Sequence, residues 1–320
     1  MYDFRKEQHF DAALSFYIFI FQEETTMSQS IFKGIATALI TPFRNGEVDY
    51  DVFGKIIDWQ IDSGIDALVI CGTTGEGSTL SDAEHKECIR YAVERAAGRT
   101  PIIAGTGSND TAYAISLTKY SCDVGADAML VVTPYYNKAT QRGLVEQFFA
   151  IADASTKPLI VYNVPSRTGC AIKPETYVKL AEHENIVGIK EANGDISSIV
   201  ETQALLQGKL DLYSGNDDQI VPILAMGGAG CISVLSNIMP AETREICHRF
   251  WQGDVAGAAA LQCKYQPLIK ALFSEVNPIP VKAAMAVMGY GEDSLRLPLT
   301  CMEENTRAVL MARMREQGLI

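Results

Sequence analysis

The sequence predicts an α/β fold, a (β/α)8 TIM barrel with additional C-terminal helices. Three observations lead there. Short apolar, β-rich runs recur from residue 31 onward, a stretch of helical periodicity follows each, and the runs are apolar on both faces. Strands buried on both faces belong to a parallel sheet covered by helices, and eight such units close into a barrel of about 250 residues. A doubly wound open sheet is the rival, but no G-x-G-x-x-G follows the first strand.

The runs are "GIATALITPF" (34–43), "DALVICG" (66–72), "PIIAGTG" (101–107), "DAMLVVTP" (127–134), "PLIVYNVP" (158–165), "IVGIKEA" (186–192), "LDLYSGND" (210–217) and "GCISVLSN" (230–237). Among the helices, 49–64 opens on Asp49 as N-cap and stops at Gly64. The stretch 81–98 opens with a capping box from Ser81 to Glu84 and closes at Gly98. In 173–183, Pro174 stands at the helix start, where its missing N–H costs nothing. After the eighth unit, "AGAAALQCKYQPLIKALF", "PIPVKAAMAVMG" and "TRAVLMARMREQ" read as helices appended to the barrel. The chain therefore divides into an N-terminal extension (1–30), a barrel (31–253) and a C-terminal helical region (254–320).

Composition limits the function. The chain has 320 residues, 48% of them hydrophobic, and a net charge of −12 with no basic cluster, which argues against nucleic-acid binding. The eight cysteines are scattered without a C-x-x-C pair, as in a reduced, cytoplasmic protein. The four histidines show no H-x-x-x-H or H-x-H spacing, so a metal site has little support. The apolar run "ALSFYIFIF" (13–21) is short of the roughly 20 residues that span a bilayer, and it lacks the pattern of a signal peptide. No membrane association is expected, and residues 1–30 are read as disordered or dispensable.

One residue breaks the apolar pattern. In "NIVGIKEA" (185–192), Lys190 sits inside what is otherwise a buried strand, near its C-terminal end. Catalytic residues of such barrels lie at these strand ends. Side chains alternate along a strand, so a Lys190 facing the barrel centre sends Glu191 to the other face, where it cannot neutralise it. The lysine is then tolerated partly by giving up its proton, and a neutral amine is what Schiff-base chemistry on a carbonyl requires. Taken singly, such a lysine also fits an edge guard or a side chain reaching for the rim. Its neighbours at other strand ends favour chemistry. "GTTGEGSTLS" (72–81) offers backbone N–H groups and the hydroxyls of Thr73 and Thr74 to a carboxylate. "TPYYNKAT" presents Tyr135 and Tyr136. "VYNVPSRTG" places Tyr162 near a strand end as a proton carrier and Arg167 beyond it as a carboxylate clamp.

Together "CGTTGE" (71–76), "AGTGSN" (104–109), "VTPYYNK" (132–138), "YNVPSRTG" (162–169), "GIKEANGD" (188–195) and "SGND" (214–217) resemble the dihydrodipicolinate synthase family, one of the lysine-dependent pyruvate aldolases that include N-acetylneuraminate lyase. The resemblance runs from about residue 31 to the C-terminus. It implies Lys190 as the Schiff-base lysine, Tyr162 as the relay tyrosine with Thr74 hydrogen-bonded to it, and Tyr136 as the tyrosine lent across a dimer interface. It further implies Thr73 as a contact to the pyruvate carboxylate, Arg167 as the clamp on the second substrate, and Ile232 as an inward residue whose carbonyl faces the lysine. The implied reaction condenses pyruvate with L-aspartate-4-semialdehyde, needs no cofactor because the iminium is the electron sink, and occurs in a homotetramer built as a dimer of dimers.

The family's lysine-inhibition site maps to His85, Asn109 and Tyr135. Tyr113 stands where inhibited members carry a glutamate, Asp82 where a histidine is usual, and "GEGS" replaces "GESA". A phenol cannot supply the missing charge, so weak or absent inhibition by lysine is expected. Three rival functions compete with this reading. A sister aldolase acting on sialic acid or keto-deoxy sugar acids shares Lys190 and Tyr162. A phosphate- or flavin-binding barrel would use "MGGAG" (226–230), which precedes the eighth strand and so lies on the wrong face. A non-catalytic binding barrel has no use for a lysine beside a tyrosine and an arginine.

Overall fold

Strand alternation sorts the side chains of this chain into two apolar layers, one inside the barrel and one outside it. The computed structural model describes residues 30–320, so the apolar run 13–21 and nearly all of the extension lie outside the described residues. Eight parallel strands close the barrel: β1 (Gly34–Ala38), β4 (Ala67–Ile70), β5 (Ile102–Gly105), β6 (Ala128–Val132), β7 (Leu159–Asn163), β8 (Ile186–Glu191), β9 (Asp211–Ser214) and β10 (Gly230–Ser233). Closure is direct, since β1 pairs with both β10 and β4. A short hairpin, β2 (Phe43–Arg44) with β3 (Glu47–Val48), follows β1.

The barrel interior holds small residues on β1 and β4, Ala36, Ala38, Ala67 and Val69, and bulkier ones on β7, β9 and β10, Ile160, Tyr162, Tyr213 and Ile232. The outer layer is larger and joins strands to helices through residues such as Ile35, Leu68, Val161, Ile189 and Leu212. Each Leu or Ile fully buried there contributes about 1.5–3 kcal/mol. Helices Val255–Leu272, Ile279–Val287 and Glu304–Glu316 pack on the same layer through Leu268, Val281, Leu310 and Met314.

The caps form as expected: Asp49 accepts from the Val52 N–H, and Ser81 and Glu84 make a reciprocal capping box. The strands are shorter than the apolar runs. "GIATALITPF" leaves the barrel after Ala38, where the Ile40 N–H turns to the Asn237 side chain and Phe43 enters the hairpin. No helix among the described residues is long and apolar enough to cross a membrane.

One register detail positions the site. Leu159 pairs with Ile186, but Ile160 pairs with Gly188, so β8 carries an extra residue, Val187. Beyond that shift Tyr162 lies opposite Lys190 and Asn163 opposite Glu191.

Candidate active site

Lys190 lies one residue before the end of β8 and is only 6% exposed. Its Nζ stands 4.2 Å from the centroid of the Tyr162 ring, a cation–π distance. Among the described residues it forms no ion pair, unlike the other deeply buried lysine, Lys282. Glu191 points to the opposite face. Its carboxylate accepts from Asn163 Nδ2 at 3.0 and 3.1 Å, Tyr177 Oη at 2.7 Å and the Asn193 N–H at 2.8 Å. Burial pushes the Glu191 carboxyl upward and these donors hold it down in part.

A cavity of about 540 Å³ opens over the strand ends. Thr73, Leu130, Tyr162, Val164 and Arg167 line one part of it. Lys190 and Ile232 are not on its wall; the Tyr162 ring, which Lys190 touches, is. Ile232 is buried in the interior apolar layer on β10. Arg167 is exposed, and its Nη2 donates to the Asn277 carbonyl at 3.2 Å.

The loop after β4 is bent hard to present its threonines. Cys71 and Glu76 hold φ of 58° and 53°, in the left-handed region that costs a non-glycine residue about 1–3 kcal/mol. A Cβ on Gly77 would lie 2.2 Å from the Cys71 carbonyl oxygen, so only glycine fits there. Thr74 is buried, and its hydroxyl accepts from Asn277 Nδ2 at 3.0 Å. The expected bond from Thr74 to Tyr162 is not formed among the described residues; the partner of the Thr74 hydroxyl here is the Asn277 amide, brought over the barrel by the C-terminal segment.

The remaining candidates gather at the other part of the same cavity. His85, Tyr113 and Tyr135 line it beside Ser78 and Asp82. The His85 ring is bonded to the Gly105 carbonyl at 2.8 Å, and burial lowers its basicity. The Tyr113 phenol is raised by burial and then by the Asp82 carboxylate. Asn109 is off the wall, but its side chain donates to the Tyr135 carbonyl at 3.2 Å. Tyr136 stands apart: it is 93% exposed on a backbone with φ of 70° and does not line the cavity.

Sequence reasoning missed three groups. Asn277 contacts both Thr74 and Arg167. Glu76 and Lys282 form a fully buried ion pair at 2.6 Å that ties the threonine loop to the C-terminal helices. Asn163 and Tyr177 hold Glu191. The signal that marks Lys190, a lysine inside an apolar run, also marks Lys282 in "PIPVKAAMAVMG".

A closed parallel barrel with a buried lysine against a phenol at the C-terminal ends of adjacent strands defines the class: a lysine-bearing (β/α)8 barrel. Residues 31–317 match the Dihydrodipicolinate synthetase family, and the chain belongs to it. It is 52% identical over 291 residues to 4-hydroxy-tetrahydrodipicolinate synthase of Caldicellulosiruptor bescii, covering 91% of this chain and 98% of that one. With the protein of the same name from Lachnoclostridium phytofermentans it shares 53% over 293 residues, 91% and 100% of the two chains. The crystal structure of Acinetobacter baumannii dihydrodipicolinate synthase complexed with pyruvate superposes with a TM-score of 0.88 at 45% identity, covering 90% of this chain and 99% of that one.

Proposed function

We propose that this protein is a 4-hydroxy-tetrahydrodipicolinate synthase, a carbon–oxygen lyase of class I aldolase type that serves lysine and diaminopimelate biosynthesis. The observation that carries the reading is Lys190, buried without an ion pair and set against Tyr162 below a cavity walled by Thr73 and Arg167. The Lys190 amine adds to the ketone carbon of pyruvate, water leaves, and an iminium forms. The iminium draws electrons from the methyl C–H bond, a proton departs, and the enamine attacks the aldehyde carbon of L-aspartate-4-semialdehyde. Tyr162 carries the protons of these steps, and the new alkoxide takes one of them. The semialdehyde's own amine then displaces Lys190 and closes the ring. Thr73 and Thr74 hold the pyruvate end, the Ile232 carbonyl faces the lysine, and Arg167 clamps the second carboxylate.

Tyr136, nearly fully exposed on strained backbone, supports a role across a subunit interface in a homotetramer. The eight free cysteines suit a reducing cytoplasm. His85, Asn109, Tyr135 and Tyr113 form the effector region, and Tyr113 makes inhibition by lysine weak or absent. Strong inhibition at low lysine concentration would overturn that last assignment.

Borohydride reduction in the presence of pyruvate tests the central claim. A stable adduct mapped to Lys190 is expected, and its absence would leave only a binding barrel. Ring-product formation from aspartate semialdehyde, with no cleavage of sialic acid or keto-deoxy sugar acids, separates this synthase from its sister aldolases.

A further inference from the structure

The pairing of β7 with β8 decides which side of the barrel Lys190 faces. Alternation on β7 is regular: Leu159 and Val161 lie in the outer apolar layer, Ile160 and Tyr162 in the interior. On β8, Ile186 and Ile189 are both in the outer layer although three positions apart, which simple alternation forbids. The extra residue Val187 resolves the conflict. Continued in the register of Leu159 with Ile186, the strands would put Ile189 opposite Tyr162 and Lys190 opposite Asn163. A slip of one residue sends every side chain of a strand to the other face. Lys190 would then point at the helices and Glu191 into the barrel.

We infer that Asn163, Glu191 and Tyr177 form a clamp on the outer face that fixes the register in which Lys190 meets Tyr162. Asn163 and Glu191 are the very next register pair after Tyr162 and Lys190. Asn163 is oriented by the Ile172 N–H, which donates to its Oδ1 at 3.1 Å, so its amide nitrogen must point at Glu191. The Asn163 amide nitrogen, which can only donate, meets both oxygens of the Glu191 carboxylate, and the Asn193 N–H and Tyr177 hydroxyl also donate to it, an arrangement that suits an acceptor-only group. The carboxylate has no cationic partner among the described residues, and such a buried polar network is costly unless fully satisfied. An apolar pair would fill this space but would fit either register equally well. These three are positioning residues; they act on the chemistry only through Lys190.

The inference rests on Lys190 being the imine-forming residue, and the test keeps the two apart. The initial rate of borohydride-trapped pyruvate adduct at Lys190 is measured, with thermal unfolding, for wild type, Glu191→Gln, the double variant Asn163→Leu/Glu191→Leu and Tyr177→Phe. Glu191→Gln turns an amide N–H₂ toward donors; misplacing a reacting group by about 1 Å costs on the order of 100-fold, and a trapping-rate loss of that order is expected. The double variant leaves the Tyr177 hydroxyl and the Ile172 and Asn193 N–H groups without their partners, so it should unfold at a lower temperature than wild type, fold nonetheless, and remain slow. Tyr177→Phe removes one donor, keeps the ring packing, and should trap several-fold more slowly. A folded variant of Glu191 or Tyr177 that traps at the wild-type rate overturns the clamp, as does a double variant that regains rate together with stability. No adduct in the wild type would instead overturn the proposed function and leave the register argument standing.

Discussion

Two lysines of this chain are removed from water, and they are treated in opposite ways. Lys282 is wholly buried in helix Ile279–Val287. It meets Glu76 at 2.6 Å and lies 4.0 Å from the centre of the Phe43 ring, which the Arg296 guanidinium also approaches, at 4.5 Å. Burial pushes this ammonium below its usual range while Glu76 pulls it back. Lys190 has a ring face and, among the described residues, no carboxylate in ion-pair contact, although its charge reaches the buried Asp217 carboxyl. Burial is therefore common to both lysines, and the presence of a counter-ion separates the ion-paired one from the one proposed to form the imine.

Three substitutions can break or sharpen that contrast. Lys190→Met should abolish the pyruvate adduct and lower condensation by about 10⁴-fold or more. Its unfolding free energy in urea should stay within about 1 kcal/mol of wild type, because no ion pair is broken. A large loss of stability would mean that Lys190 is structural after all. Lys282→Met should do the reverse and destabilise by about 3–5 kcal/mol, since it strands the Glu76 carboxylate. Glu76→Gln/Lys282→Met should recover most of that loss.

The smallest effect concerns the flank of this pair. Hydrogen bonding from Arg296 holds the Glu84 carboxyl at about 2, against about 4.3 for an unfolded glutamate. A depressed carboxyl contributes stability above the unfolded value, and that contribution disappears as the pH falls toward the folded one. Glu84→Gln should thus flatten the acid limb of the stability curve between about pH 4.5 and pH 2. With its side chain 29% exposed, the change should be on the order of 1 kcal/mol. An unchanged acid limb would show that the Arg296 contact is weak in solution.

What the sequence discloses depends on how far apart the cooperating residues lie. The strand-and-helix rhythm, the Asp49 cap and the Ser81–Glu84 box are local, and all can be read directly. Strand ends are less clear, because loops such as Leu39–Pro42 stay apolar where the hairpin and Asn237 cover them. Glu76 and Lys282 are 206 positions apart, and Asn277 is 203 from Thr74, so only the closed fold joins them. The register shift at Val187 leaves no mark in composition either. Motif resemblance places Lys190, Tyr162, Thr73 and Arg167 together because it carries long-range information that periodicity lacks.

The reach of the segment from Asn277 onward bears on how the molecule is made. A nascent chain that has released all eight strands from the ribosome still lacks the amide that meets Thr74 and the ammonium that neutralises Glu76. Translation therefore finishes the barrel before it finishes the threonine loop, and a message truncated ahead of Asn277 yields a shell whose mouth is never assembled.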